Sequence, residues 1–291
     1  MFSILFQHVV NGVIAGALIA IPAIGLTLMF AVMRFPNFAL GAHMTVGAYA
    51  AYLVNRHFHW GVLPMLLVAF AIAGVAGLAS DALALKKLRG AKGTEAALVV
   101  AIISIALNIV LESLLRFAFG NDLYGYELPL ARDFSFGDIH VGPQQLQNML
   151  LSIVLMGAVF AFLLTTRVGQ AMRAVADNPA LAALKGIRAE RFAMLATFLG
   201  MGLAGLGGVL LALDTSIDPL TGYRVLLTIF AATVVGGLGS VPGAVVGAIV
   251  IGLAEELALL AIPPTYRSAI GFAAILVVLS FRPQGLLGER T

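Results

Sequence analysis

The chain has 291 residues, 61% hydrophobic and 11% charged, with a mean hydropathy of +1.03 and a formal charge of +3 at pH 7. A water-soluble domain carries roughly 25% charged residues, so this chain has too few to cover a globule of its size and reads as an integral membrane protein. It has no cysteine, which excludes disulfides, thiolate metal sites and cysteine nucleophiles.

The apolar residues fall in long blocks, the pattern of a polytopic transmembrane helical bundle of all-α class and not of an outer-membrane barrel. Taken in chain order, the spacing predicts spans near 4–33, 38–55, 61–85, 95–119, 146–166, 192–213, 242–260 and 266–281. The first block has no basic residue before it and is followed by Arg34, so it reads as a retained span and not a signal peptide. A ninth block, 225–239, is short and ends in Gly236, Gly237 and Gly239. It is either a thin crossing or a re-entrant half-helix, giving eight or nine crossings in a single domain.

With nine crossings, one side receives Arg34, Lys86, Lys87, Arg89, Lys92, Arg167, Arg173, Lys185, Arg188, Arg191, Arg282 and Arg290. The other receives Arg56, Arg116, Arg132, Arg224 and Arg267. Basic residues gather on the cytoplasmic side, so residues 167–191 are expected inside and the N-terminus outside. This use of the basic residues also disfavours a nucleic-acid partner. Residues 120–145 are expected to form a structured outer loop with a short strand or surface helix, and 214–222 a second outer connection.

Within the spans, Gly12 and Gly16 form one small-residue ridge, and Gly239, Gly243 and Gly247 another, which predicts close helix packing. Pro22 should kink the first span, and Pro242 should start a helix. The stretch from Gly236 to Gly243 is either a tight turn or a break facing a cavity. Ionisable and amide groups in the spans need partners or water. Asn37, Asn108, Glu112, Arg116 and Glu255 are therefore candidates for a pathway or for polar packing. Glu112 and Arg116 are spaced to pair on one helix face, with Asn108 one turn before. Glu255 and Glu256 have no basic neighbour in sequence, which sends one of them to water or to another subunit. Asn11 and Thr27 are candidates for helix–helix hydrogen bonds, and His8 for an interfacial position.

No catalytic constellation or metal site can be assembled. The histidines, His8, His43, His57, His59 and His140, form no metal-binding motif. Gly90 to Thr94 is not a phosphate-binding loop, so the chain holds no ATP-binding motif and no cofactor. The segment 167–191 is ordered in pattern: a helix through Ala176, an Asn178 cap, Pro179 at the first position of a second helix, and Gly186 as its stop. Ala171, Met172 and Val175 supply one apolar face, Leu181 and Leu184 another. Such a segment suits docking to a partner or lying on the membrane surface.

Several motifs in order resemble the LivH-type permeases of branched-chain amino-acid ABC importers. They are Asn37-Phe38-Ala39 with Gly41 and Gly47-Ala48-Tyr49; Arg173 to Asn178 with Gly186-Ile187; Gly236 to Ser240 with Pro242-Gly243-Ala244; and Arg282-Pro283-Gln284-Gly285-Leu286. The resemblance runs over nearly the whole chain. It implies a second permease subunit, two cytoplasmic ATPase subunits that hold ATP and magnesium, an external solute-binding protein, and a place in the cell inner membrane. It also implies that Gly169, Arg173, Ala174, Asp177, Asn178, Pro179, Ala182 and Gly186 belong to the segment that couples to the ATPases. Where the family often has His and Glu, this chain has Leu40 and Ala42, a less polar surface that favours an apolar amino acid. Within the family, urea and short amides are alternative solutes; the spans alone also admit a stand-alone channel or an ion-coupled carrier.

Overall fold

The structure is a computed structural model that describes residues 2–86, 94–127, 134–136 and 139–288. Lys87, Arg89, Lys92, Arg132 and Arg290 lie outside the described residues, as do 128–133 and 137–138 of the expected outer loop.

The chain forms α1 (Phe2–Met33), α2 (Leu40–Phe58), α3 (Val62–Ser80), α4 (Thr94–Phe119), a hairpin of β1 (Phe134–Phe136) and β2 (Ile139–Val141), then α5 (Pro143–Thr165), α6 (Arg167–Asp177) and α7 (Pro179–Leu184). It ends with α8 (Ala189–Asp214), α9 (Thr221–Gly236), α10 (Val241–Ala258) and α11 (Arg267–Phe281). A π turn, Asp81–Leu85, extends α3. In the hairpin Phe134 pairs with Val141 and Phe136 with Ile139, antiparallel. Six helices are long and apolar enough to cross a membrane, and two shorter apolar helices accompany them.

Helix α1 runs unbroken through Pro22, whose ring rests where Gly207 of α8 has no side chain. Gly25 meets Gly200, and the Thr197 hydroxyl points at Met33 Sδ, so α1 and α8 are antiparallel. On its other side α1 runs antiparallel to α10, with Gly12 at Leu253 and Gly16 at Ile249. Around this axis Ile21, Ile24, Met29, Leu40, Met65, Met201, Leu210 and Ile229 form the buried core with α2, α3 and α9. Helices α4 and α5 lie at the periphery and expose apolar faces, as lipid-facing or subunit-facing helices do.

The short block near 225–239 is one helix that starts earlier, at Thr221, and ends at Gly237 with φ +111°. Helix α10 then starts as expected: the Ser240 hydroxyl accepts from Gly243 N–H at 3.1 Å, and Pro242 lies in the first turn. The stretch between them faces the C-terminal residues. Leu286 N–H donates to Val235 O at 2.8 Å and Leu287 N–H to Gly236 O at 2.9 Å, so the tail satisfies carbonyls that the end of α9 leaves over. Two separated sequence motifs thus form one joint.

Candidate functional site

The α1–α2 connection is irregular, opened by Arg34 at φ +60°, and the helix that follows is capped mainly from outside itself. The Asn37 side-chain oxygen accepts from Ala39 N–H at 3.1 Å. From α4, Ser104 Oγ accepts from Phe38 N–H at 2.9 Å, and Asn108 Oδ1 accepts from Ala42 N–H at 2.8 Å. Ser104 and Asn108 sit four residues apart on one face of α4, so they reach one donor just before α2, Phe38 N–H, and one in its first turn, Ala42 N–H. They lie roughly 15 and 21 Å beyond the start of α4, so α2 begins deep in the bundle. Irregular backbone at such depth persists only where protein or an aqueous cavity satisfies it.

The same turn is where α9 approaches. A Cβ at Gly222 would lie 1.8 Å from Gly41 O, and Gly222 N–H donates to Thr45 Oγ1 at 2.9 Å. Phe38 and Phe230 pack ring to ring at 5.2 Å. Asn37 is 1% exposed, and its side-chain nitrogen has no hydrogen-bond partner among the described residues. Leu40 and Ala42 are both buried in this contact. His43, also buried, joins α2 to α3 through Ser80 Oγ at 3.0 Å.

Of the expected polar residues, the structure brings Asn37 and Asn108 together at the α2 entry and leaves the others elsewhere. Glu112 and Arg116 pair at 2.6 Å on α4, but Asn108 is committed to Ala42 and is not part of that stripe. Glu255 and Glu256, which have no basic neighbour in sequence, share a basic partner in the fold. Arg267, at the start of α11, donates from Nε to Glu255 at 2.9 Å and from Nη2 to Glu256 at 3.0 Å. Thr228 of α9 donates to Glu255 at 2.8 Å, and His8 of α1 stands 3.6 Å from Glu256. Four helices are tied at one point. Asn11 accepts from Gln7 in its own helix, and the Thr27 hydroxyl has no partner, so among the described residues neither makes the expected interhelical bond.

The segment 167–186 has the predicted anatomy. Thr166 Oγ1 caps α6 by accepting from Gly169 N–H at 3.0 Å, and Asn178 Oδ1 caps α7 by accepting from Leu181 N–H at 3.0 Å. Gly186 at φ +80° ends α7, with Ile187 N–H bonded to Ala182 O and Gly186 N–H to Ala183 O. Gly169 lies against Phe162 and Leu163 of α5, and Arg34 donates to Ala176 O, so α6 is attached to α5 and to the end of α1. Met172, Val175 and Ala182 face inward, while Leu184 is 84% exposed and Leu181 57%. Arg173, Asp177, Asn178 and Pro179 are also on the outer surface, and Ala174 is half-buried. Ala182, within the segment expected to couple to the ATPases, is buried against its own chain.

Among the described residues, no three His, Asp or Glu side chains are grouped to hold a metal. What the geometry offers is a polar helix entry deep in an apolar bundle and, linked to it by Arg34 at the end of α1, a capped two-helix segment with an apolar outer edge.

Residues 8–279 match the family described as the permease component of the branched-chain amino acid transport system. The chain belongs to that family. It is therefore a multi-pass membrane permease, a transport component and not an enzyme. This permease is 28% identical to the high-affinity branched-chain amino acid transport system permease protein BraD of Pseudomonas aeruginosa, over 97% of this chain and 95% of that protein. It is 28% identical to the permease protein LivH of Escherichia coli K12, over 99% and 97%. It is 29% identical to a probable LivH permease of Methanocaldococcus jannaschii, over 96% and 91%. As a permease component, it works with other subunits of a transport system.

Sequence reasoning missed Ser104, Thr45 and Arg267. Ser104 precedes Asn108 by one turn, which was a readable signal; Thr45 and Arg267 act only through contacts that the fold creates.

Proposed function

We propose that this permease is one of the membrane subunits of an ATP-driven importer for branched-chain or other hydrophobic amino acids. The family match over residues 8–279, with relatives named for high-affinity branched-chain amino acid transport, carries this reading. The chain crosses the inner membrane nine times, with α6 and α7 in the cytoplasm and the connections after α4 and α8 outside. The described basic residues support that sidedness: Arg34, Lys86, Arg167, Arg173, Lys185, Arg188, Arg191 and Arg282 against Arg56, Arg116, Arg224 and Arg267.

The sequence has no ATP-binding motif, so ATP and magnesium belong to two cytoplasmic ATPase subunits, and a second permease completes the pathway. The exposed edge of α7 with Arg173 and Asp177 is the docking surface. Motion of α6 passes to α5 through Gly169 and to the α1–α2 entry through Arg34. A solute-binding protein delivers the amino acid on the outer side. Leu40 and Ala42 add apolar side chains to the polar α2 entry, which suits an aliphatic amino acid better than a highly polar solute.

The test is uptake into liposomes holding the complete complex, with and without the binding protein, of leucine, isoleucine, valine and urea. ATP-dependent uptake of the three amino acids is expected. Urea uptake alone would move the permease to amide transport, and uptake without ATP would sink the importer reading.

A further inference from the structure

The chain leaves α4 at Gly120, φ +77°, and runs back across the outer half of α2. Tyr124 and Ile217 form an isolated antiparallel bridge, with N–H to O distances of 2.9 and 2.8 Å. Tyr126 donates its hydroxyl to Ala48 O at 3.1 Å, and burial raises its pKa, which keeps it a donor. Glu127 N–H donates to Asn55 Oδ1 at 2.7 Å. Among the described residues the strap is held by that bridge and by side-chain bonds, which also include the Tyr124 hydroxyl to Phe119 O at 2.8 Å and Asn55 Nδ2 to Glu127 O at 3.5 Å, whereas the helices beneath it interlock through backbone contacts at Gly41, Gly47 and Gly222.

Beneath the strap lies Tyr49, stacked on Phe119 at 4.3 Å and edge-on to Tyr124 at 6.1 Å. It is 2% exposed, and its hydroxyl has no partner among the described residues. A buried hydroxyl without a partner is costly, so its retention calls for an explanation, and a partner that arrives only in another state of the protein supplies one. Tyr49 also lies on the helix whose first turn forms the α2 entry. We propose that residues 121–127 are the outer gate of the pathway, closed in this structure, and that the Tyr49 hydroxyl is the first polar group an amino acid meets when the gate lifts. This rests on the importer reading above.

The two residues of a bridge that exchange both hydrogen bonds have Cα atoms about 5.5 Å apart, within the range a disulfide spans. The chain has no native cysteine. Tyr124→Cys with Ile217→Cys, in the assembled complex, therefore locks the strap in the geometry already present. Oxidation should abolish ATP-driven leucine uptake and reduction restore it. A merely structural strap predicts no loss, because the cross-link preserves the observed structure, and full uptake with the cross-link verified would overturn the gate.

A second arm uses the single variant Tyr49→Cys and an impermeant maleimide added outside. Labelling should be slow at rest, faster when ATP and binding protein drive turnover, and faster at rest when Tyr126→Phe is added. Labelling equally slow under all these conditions would overturn the proposal. This arm does not depend on the solute: if leucine is not carried by the unmodified complex, the substrate reading fails and labelling at position 49 still decides the gate.

Discussion

Asn108 of α4 accepts the backbone N–H of Ala42 on α2 at 2.8 Å, a contact between residues 66 positions apart. With Ser104 it serves as an external cap for a helix that starts inside the bundle. Asn108→Leu leaves the Ala42 donor buried and unsatisfied, at a cost of about 1–3 kcal/mol. The solubilised permease should melt at lower temperature, and Ser104→Ala should add to the loss less than independently, since both side chains hold the chain's entry into α2. Melting unchanged by Asn108→Leu would show that water or a backbone acceptor replaces the side chain.

Arg267 serves two acids at once. Arg267→Gln leaves Glu255 buried without its cation, and breaking a buried pair costs about 3 kcal/mol, at the low end of the usual range because Arg267 is 40% exposed. Adding Glu255→Gln should recover part of the loss, since Thr228 can donate to the amide oxygen. The yield of folded permease for the single and double variants measures this. Equal yields for Arg267→Gln and the parent would mean that the acids find another partner.

The α6–α7 segment separates packing within the chain from docking to a partner. Leu184 is exposed, so Leu184→Asp should leave the permease folded while reducing its capture of the ATPase subunits and ATP-driven uptake. Ala182 is buried, so Ala182→Trp should disturb α7 itself, since overpacking commonly costs about 1–3 kcal/mol. Co-purification of the ATPase with each variant, alongside protease resistance of the segment, distinguishes the two. Normal ATPase capture and uptake with Leu184→Asp would remove α7 from the interface.

Much of this architecture is legible in the residues. Apolar block lengths locate the helices, and Thr166, Asn178, Pro179 and Gly186 predict two short helices because caps and stops act within a few residues. Glu112 and Arg116 are equally local, four apart on one helix. What cannot be read this way is any bond whose partner is set by folding. Arg267 reaches Glu255 only after α10 and α11 form a hairpin, and Tyr126 reaches Ala48 only because the strap turns back at Gly120. The break at Gly236 to Gly243 is ambiguous for the same reason: its partner is the C-terminal tail, reached at Leu286 and Leu287 beyond the whole of α10 and α11.

The glycine ridges were also only partly legible, and they give the sharpest stability contrast. Gly243 and Gly247 do form a ridge against α9, but Gly239 is not part of it; it is a turn residue at φ +95° with open space around it. A Cβ at Gly247 would lie 2.0 Å from Ala232 O, a backbone atom that cannot swing aside, so α9 and α10 would have to separate. Gly157, in the middle of α5, has nothing within 4 Å of such a Cβ. Gly247→Ala should therefore destabilise the permease by at least about 1–3 kcal/mol through overpacking. Gly157→Ala should be neutral or should stabilise by about 0.5–1 kcal/mol, because alanine is the better helix former. Thermal unfolding of the two purified variants tests the contrast directly. A similar loss in both would mean that α5 packs on a surface hidden from the single chain; no loss at Gly247 would mean that α9 and α10 are not in contact there.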